Sequence, residues 1–256
     1  MSEIRVIPML TVRGDGLYRT KAFKSPSYVG DPINSVKLFN DKEVDELVVL
    51  DITGGEWSDE DFKKFEELAK YAFMPLAYGG RLSKLEHVAR VFKAGYEKVI
   101  LNTGAHLDYS LVSKVANVYG SQSVIVSIDV KRSFFKKRQK LVVSNGKRSL
   151  KMTHIDAAIA AERAGAGEII IRSVDDDGLM EGYDISLIKE LKRKVSIPIV
   201  AAGGAGSLKH FQEAIENGAH SVAAGSMFVY QGKHRAVLIN YPSREVLKEN
   251  SLIYRK

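Results

Sequence analysis

Eight short apolar runs, rich in β-branched residues, recur along the chain at residues 5–10, 46–51, 74–78, 98–101, 124–129, 168–173, 197–201 and 221–224. They are continuous rather than alternating, as expected of strands buried on both faces of a parallel sheet. Between them lie amphipathic stretches that predict helices, among them 59–72, 82–94, 107–119, 153–164 and 208–217. Strand and helix alternate with no linker or shift in composition. The pattern predicts an α/β fold, a single closed (β/α)8 barrel of TIM type over residues 1–256. An open doubly wound sheet is the alternative, and six or seven strands would suit it better.

A repeat strengthens the barrel reading. Residues 75–105 and 198–228 align without a gap at an offset of 123, setting Pro75 on Pro198, Gly80 on Gly203, Leu85 on Leu208, His87 on His210, Gly95 on Gly218 and Thr103 on Ser226. At a slightly different offset, Leu10-Thr11-Val12-Arg13 matches Ile128-Asp129-Val130-Lys131. The offset is close to half the chain. The barrel therefore reads as two similar half-barrels, about residues 1–122 and 123–256.

Composition adds exclusions. The 256 residues suit one barrel of roughly 250. With no cysteine, disulfide and thiol chemistry are ruled out. The opening MSEIRVIPML lacks the apolar core of a signal peptide, and no run approaches the ~20 apolar residues of a membrane span. A cytoplasmic protein with no membrane association is expected. The net charge is +7, but the cations are spread out except in residues 131–140, KRSFFKKRQK. That stretch reads as a solvated hairpin or a phosphate-facing loop; no nucleic-acid signature accompanies it, so no nucleic-acid partner is expected.

A barrel of this kind carries its chemistry at the C-terminal ends of its strands. There the repeat pairs Gly79-Gly80 with Gly203-Gly204, and Asn102-Thr103-Gly104 with Gly225-Ser226. A lone Gly-Gly would read as a tight turn. Duplicated, with a hydroxyl residue one strand later, it reads as two phosphate sites and a ligand with a phosphate at each end. Asp129 ends the fifth strand and is a candidate general acid or base, with capping as the plainer reading. Asp51 ends the second strand and is a candidate to bind a substrate hydroxyl. Asp175, Asp176 and Asp177 precede Gly178 and serve equally as loop structure or as ligands for substrate hydroxyls. No histidine or further ligand is suitably spaced, so neither a metal nor a cofactor is expected. At the opposite end, Arg5, Glu46, Lys98 and Glu168 open four strands and could close into a salt-bridge ring.

These residues resemble the cyclase subunit of imidazole glycerol phosphate synthase from Arg5 to about Phe228. The resemblance is carried by Gly30-Asp31-Pro32, Asp45-Glu46-Leu47 through Leu50-Asp51-Ile52-Thr53, Lys98 with Asn102-Thr103, Tyr119-Gly120-Ser121-Gln122, Ile128-Asp129 with Lys131-Arg132, Gly165-Ala166-Gly167-Glu168, Asp177-Gly178 with Gly182-Tyr183-Asp184, and Gly203-Gly204-Ala205-Gly206. It implies a class I glutaminase partner docked at the strand starts, with Arg5, Glu46, Lys98 and Glu168 as the gate through which ammonia enters. It also implies phosphate sites around Gly80, Asn102 and Thr103 and around Gly178, Gly203, Gly204, Gly225 and Ser226.

The departures are informative. The family places catalytic aspartates at the ends of strands one and five; Asp129 is the second, but Thr11 stands where the first should be. Arg19 replaces a lysine on the first loop. Arg81 stands where the family has a glycine at one phosphate site, Arg172 replaces a small hydroxyl residue and Leu179 a threonine, three changes that put bulk or charge in the substrate cavity, where Arg19 and Arg81 remain candidate ligand-binding residues. Inlet kept and centre altered, the pattern is similar to cyclase paralogues implicated in amidination of surface-polysaccharide sugars. In that reading the partners are the glutaminase, a phosphorylated sugar-type ligand and a sugar amidotransferase. A true histidine-pathway cyclase, and a non-catalytic adaptor that activates a glutaminase, are the alternatives.

Overall fold

The computed structural model describes residues 4–133, 139–232 and 234–252. Eight parallel strands close into a barrel: β1 (Val6–Arg13), β2 (Leu47–Asp51), β3 (Leu76–Gly79), β4 (Lys98–Leu101), β5 (Val124–Arg132), β6 (Glu168–Ser173), β7 (Ile199–Ala202) and β8 (Ser221–Ala224). Strand β1 pairs with β2 through Met9↔Val48 and with β8 through Val6↔Val222, and the others pair in chain order, so the sheet closes. The outer layer is α1 (Pro32–Asp41), α2 (Asp59–Lys70), α3 (Leu85–Lys93), α4 (Ser110–Tyr119), α5 (His154–Arg163), α6 (Ile185–Lys192), α7 (Leu208–Glu216) and α8 (Arg244–Glu249). The Gly30-Asp31-Pro32 motif starts α1: Asp31 accepts from the Asn34 amide at 2.7 Å, and Pro32 occupies a first-turn position that needs no N–H.

The strands at 98–101, 168–173 and 221–224 fall where the apolar pattern puts them. Others shift for local reasons. Pro75 and Pro198 have no N–H to give a ladder, and β3 and β7 begin just after them. Strands β1 and β5 outrun their apolar cores because each continues into an antiparallel hairpin, with Thr11 opposite Tyr18 and Asp129 opposite Val142. The helix expected over 107–119 is two helices, Thr103–Leu107 and α4, separated where Asp108 turns back to accept from the Ser110 amide at 2.9 Å. Of the basic stretch 131–140, Lys131 and Arg132 pair across a hairpin with Lys140 and Gln139; residues 134–138 lie outside the described residues. The two halves carry matching additions. A hairpin follows β1 and β5, and a one-turn helix opening on a hydroxyl residue follows β4 (Thr103–Leu107) and β8 (Ser226–Val229).

Side chains alternate across each strand, so every second residue faces the barrel axis. Ile7, Met9, Val48, Ala77, Ile100, Ile125, Ile170, Val200, Ala202 and Ala223 form one closed apolar cluster inside, with Leu50 against it. Reading two residues down and up from that cluster orders the columns. Arg5, Ile7, Met9 and Thr11 line β1; Glu46, Val48 and Leu50 line β2. Lys98, Ile100 and Asn102 line β4, and Glu168, Ile170 and Arg172 line β6. On β5 the column is Ile125, Ser127 and Asp129. The inside is thus charged at the strand starts, apolar in the middle and polar at the strand ends.

Candidate functional site

At the strand starts the four charges form a closed ring. Arg5 Nη1 donates to Glu46 and Nη2 to Glu168; Lys98 Nζ lies 2.7 Å from Glu46 Oε2 and 3.7 Å from Glu168 Oε2. The carboxylates are buried and the cations are about one-fifth to one-quarter exposed. Burial opposes the Arg5 charge, yet Glu168 and Glu46 outweigh it and raise its pKa. Glu46 Oε1 has no hydrogen-bond partner among the described residues. Polar groups sealed in this way are costly to bury, and the apolar cluster lies directly above them.

At the strand ends, Asp129 is only 2% exposed, and among the described residues its side-chain hydrogen-bond partners are all donors. Arg172 grips it with Nε at 2.9 Å and Nη2 at 3.0 Å, Ser127 Oγ donates at 3.1 Å and Asn102 Nδ2 at 3.2 Å. The grip follows from register, since Arg172 is directly opposite Asp129 in the β5–β6 ladder. Burial works against the Arg172 charge, but Asp129 and then Asp177 prevail and raise its pKa. A carboxylate committed to a bidentate ion pair is poorly placed to shuttle a proton. Asp129→Ala should destabilise the fold by up to about 3–5 kcal/mol in urea titrations, because Arg172 would lose its bidentate partner and keep only the charge of Asp177 against its burial. A loss under about 0.5 kcal/mol would contradict the pairing.

Thr11 is 8% exposed, and its hydroxyl donates to the Tyr18 carbonyl within the β1 hairpin. Arg19, from the same hairpin, donates to the Met9 carbonyl at 2.8 Å and to Thr11 Oγ1 at 3.4 Å. Burial pulls the Arg19 pKa down, with Asp177 opposing. Its guanidinium lies against Gly225: a Cβ there would fall 1.8 Å from Nη2, so a larger residue would have to displace the guanidinium. Arg19 Nε and the neighbouring Ser226 Oγ are buried with no hydrogen-bond partner among the described residues. A buried cation with an unpartnered N–H, beside an unpartnered hydroxyl, makes this the part of the site best suited to an anion. Asp177 closes the group, its pKa raised by burial against the pull of Arg172 and Arg19.

The other predicted residues have other partners. Asp51 pairs with Arg81 through Nε at 2.7 Å and accepts from the Tyr78 hydroxyl at 3.3 Å, on the helix-facing side of the barrel. Arg81 also reaches Asp61 at 3.0 Å, so its charge is spent on two carboxylates. Gly80 packs against the backbone of Asp51. Thr103 Oγ1 accepts from the Ser144 amide at 3.0 Å, tying β4 to the β5 hairpin. Gly178 lies under the Thr20 carbonyl, Gly203 under that of Ser173, and Gly204 (φ 117°) under that of Gly182, where a Cβ would approach to 1.9 Å. Tight backbone packing thus accounts for these three glycines. Asp175 and Asp176 hold Arg132, and Leu179 offers its carbonyl to Arg235 at 3.1 Å. Among the described residues no cluster of three or more His, Asp or Glu is placed to hold a metal, and no helix is long and apolar enough to cross a membrane.

Sequence reasoning missed three residues at the site. Ser127 is one column position below Asp129. Phe23 covers the Arg172 guanidinium at 4.4 Å. His106 is 7% exposed, with Nε2 2.9 Å from the Ser127 carbonyl and Nδ1 2.9 Å from the Tyr109 hydroxyl. Burial lowers the His106 pKa, so the folded chain holds it neutral. Its contribution to stability is present above the unfolded value of about 6.5 and is lost as pH falls below it. The melting temperature should therefore drop more between about pH 7.5 and 5.5 in the wild type than in His106→Gln. His87 and His220, also lowered by burial, are common to both proteins and cancel. Equal drops would contradict the assignment.

Residues 5–235 match the family described as histidine biosynthesis protein. The chain is 45% identical, over 94% of its length and 97% of the relative's, to a Pseudomonas aeruginosa protein with the provisional name imidazole glycerol phosphate synthase subunit hisF2. A Leptospira interrogans protein provisionally named as subunit HisF of the same synthase is 42% identical over 96% of this chain and 97% of its own. Imidazole glycerol phosphate synthase subunit HisF of Endomicrobium trichonymphae is 37% identical over 90% and 89%.

Proposed function

The chain belongs to the histidine biosynthesis protein family, as a cyclase-like relative of the HisF subunits of imidazole glycerol phosphate synthase, and from that premise we propose that it conducts ammonia rather than closing an imidazole ring. A class I glutaminase docks at the strand starts. Ammonia enters through the ring of Arg5, Glu46, Lys98 and Glu168, crosses the apolar interior as the neutral molecule and emerges at the strand ends. There it serves amidination of a phosphorylated or nucleotide-linked sugar of a surface polysaccharide. ATP activates the carbonyl oxygen of an N-acetyl group in a partner amidotransferase. Ammonia adds to the carbon, and the oxygen leaves on the phosphoryl group.

The observation that carries this reading is the state of the two catalytic positions. Thr11 cannot supply a carboxylate, and Asp129 is clamped by Arg172 at 2.9 and 3.0 Å. The inlet, by contrast, is complete. An anionic group of the ligand lands between Arg19 and Ser226, whose orphaned donors it satisfies. The test is turnover of the bis-phosphorylated ribulosyl intermediate by the isolated chain with saturating ammonium. A positioned acid or base is worth about 10²–10⁴ in rate, so turnover should lie at least about a hundredfold below an ordinary cyclase rate of about 1 s⁻¹. An ordinary rate would make the chain a histidine-pathway cyclase.

A further inference from the structure

The net charge of the chain has a location. Residues 16–30 and 139–152 hold seven Lys and Arg and no Asp or Glu, and the other 31 cations match the 31 acids of the whole chain. Both segments belong to the hairpins that extend β1 and β5 at the strand ends. They meet over the barrel mouth, where Gly146 of one abuts the Phe23 ring of the other: a Cβ on Gly146 would lie 3.3 Å from Phe23 Cδ2. Arg19 turns inward. Lys21, Lys24, Lys140, Lys147, Arg148 and Lys151 are all exposed, and none makes an ion pair among the described residues. Like charges gathered on one face with no internal counter-charge create a field that recruits an acidic surface.

The same rim offers an anchor point. Tyr28 is 61% exposed and stands edge-on to Tyr18, their centroids 5.7 Å apart. With Arg13, Asp15 and Thr53 they line an open cleft of about 750 Å³, in which Asp15 is already paired with Lys64 at 2.7 Å. Tyrosine and arginine at a recessed spot within a charged rim are the ordinary anchors of protein–protein contacts. A nucleic acid would ask instead for a continuous basic track.

We propose that this two-hairpin roof is the docking surface for an acidic protein, the ATP-dependent enzyme that activates the acceptor and consumes the ammonia. The inference rests on the ammonia-conducting reading: no pair of free carboxylates remains at the mouth, so the acceptor must be activated by a protein held against it.

The test uses the chain bound to its glutaminase, titrated by calorimetry with the purified ATP-dependent sugar amidotransferase of the same source, at about 50 and about 300 mM salt. The wild type should bind, and the higher salt should weaken binding at least about tenfold. A variant combining Lys21→Glu, Lys24→Glu, Lys147→Glu and Arg148→Glu should weaken it at least as much. The variant should still bind glutaminase at the opposite face, which shows that it is folded. Amidination driven by ammonium should be unchanged, and amidination driven by glutamine largely lost. The proposal is overturned if the wild type does not bind, if charge reversal leaves the affinity intact, or if duplex DNA or anionic phospholipid vesicles bind more tightly than the enzyme. Charge-dependent docking without any glutamine-driven amidination by the wild type would leave the docking surface standing and sink the ammonia-conducting reading.

Discussion

Lys98→Ala is expected to uncouple glutamine hydrolysis from ammonia delivery. Lys98 bridges Glu46 and Glu168 at 2.7 and 3.7 Å, and without it Arg5 alone faces two buried carboxylates. The ring loses one of its two cations, and the fold should lose up to about 3 kcal/mol, since both cations keep some contact with water. Glutamine-driven amidination should fall at least about tenfold, while the rate with free ammonium, which does not depend on the inlet, stays near that of the wild type. The measurement is the ratio of product formed to glutamine consumed. An equal loss with both nitrogen sources would mean that the ring serves only stability.

The second large effect concerns the catalytic positions. Thr11→Asp restores the missing carboxylate in name, but Arg19 Nη1 is already 3.4 Å from Thr11 Oγ1 and would pair with it. Asp129 would still be held by Arg172. Thr11→Asp alone should therefore recover less than about tenfold in cyclase turnover, and Thr11→Asp with Arg172→Ser about a hundredfold or more. Full recovery by the single substitution would contradict the role given to Arg172.

The barrel was legible because strands buried on both faces leave continuous apolar runs, and because duplication stamps the same glycines and hydroxyl residues on both halves. The ring was legible for a related reason: charge at or just before the start of a buried strand has few places to go. The hairpin over residues 16–30 was not legible. Five of its residues in a row, from Lys24 to Tyr28, are exposed and show no alternation, and its turn uses Ala22 and Phe23 at φ 49° and 60°, where glycine or asparagine would have been the signal. Arg81, also at positive φ (53°), was read as a residue of a phosphate site, yet its partners are Asp51 and Asp61, thirty and twenty positions away in sequence. The clamp of Arg172 on Asp129 depends on the register of two strands far apart in the chain, which composition and spacing do not encode.

The most direct test of the account is glutaminase activity measured with and without this chain, alongside sedimentation of the mixture. The chain and the class I glutaminase of its own source should form a 1:1 species in which glutamine hydrolysis is at least about tenfold faster than in glutaminase alone. Two separate boundaries and an unchanged hydrolysis rate would contradict the claim that this barrel receives its ammonia from a docked glutaminase.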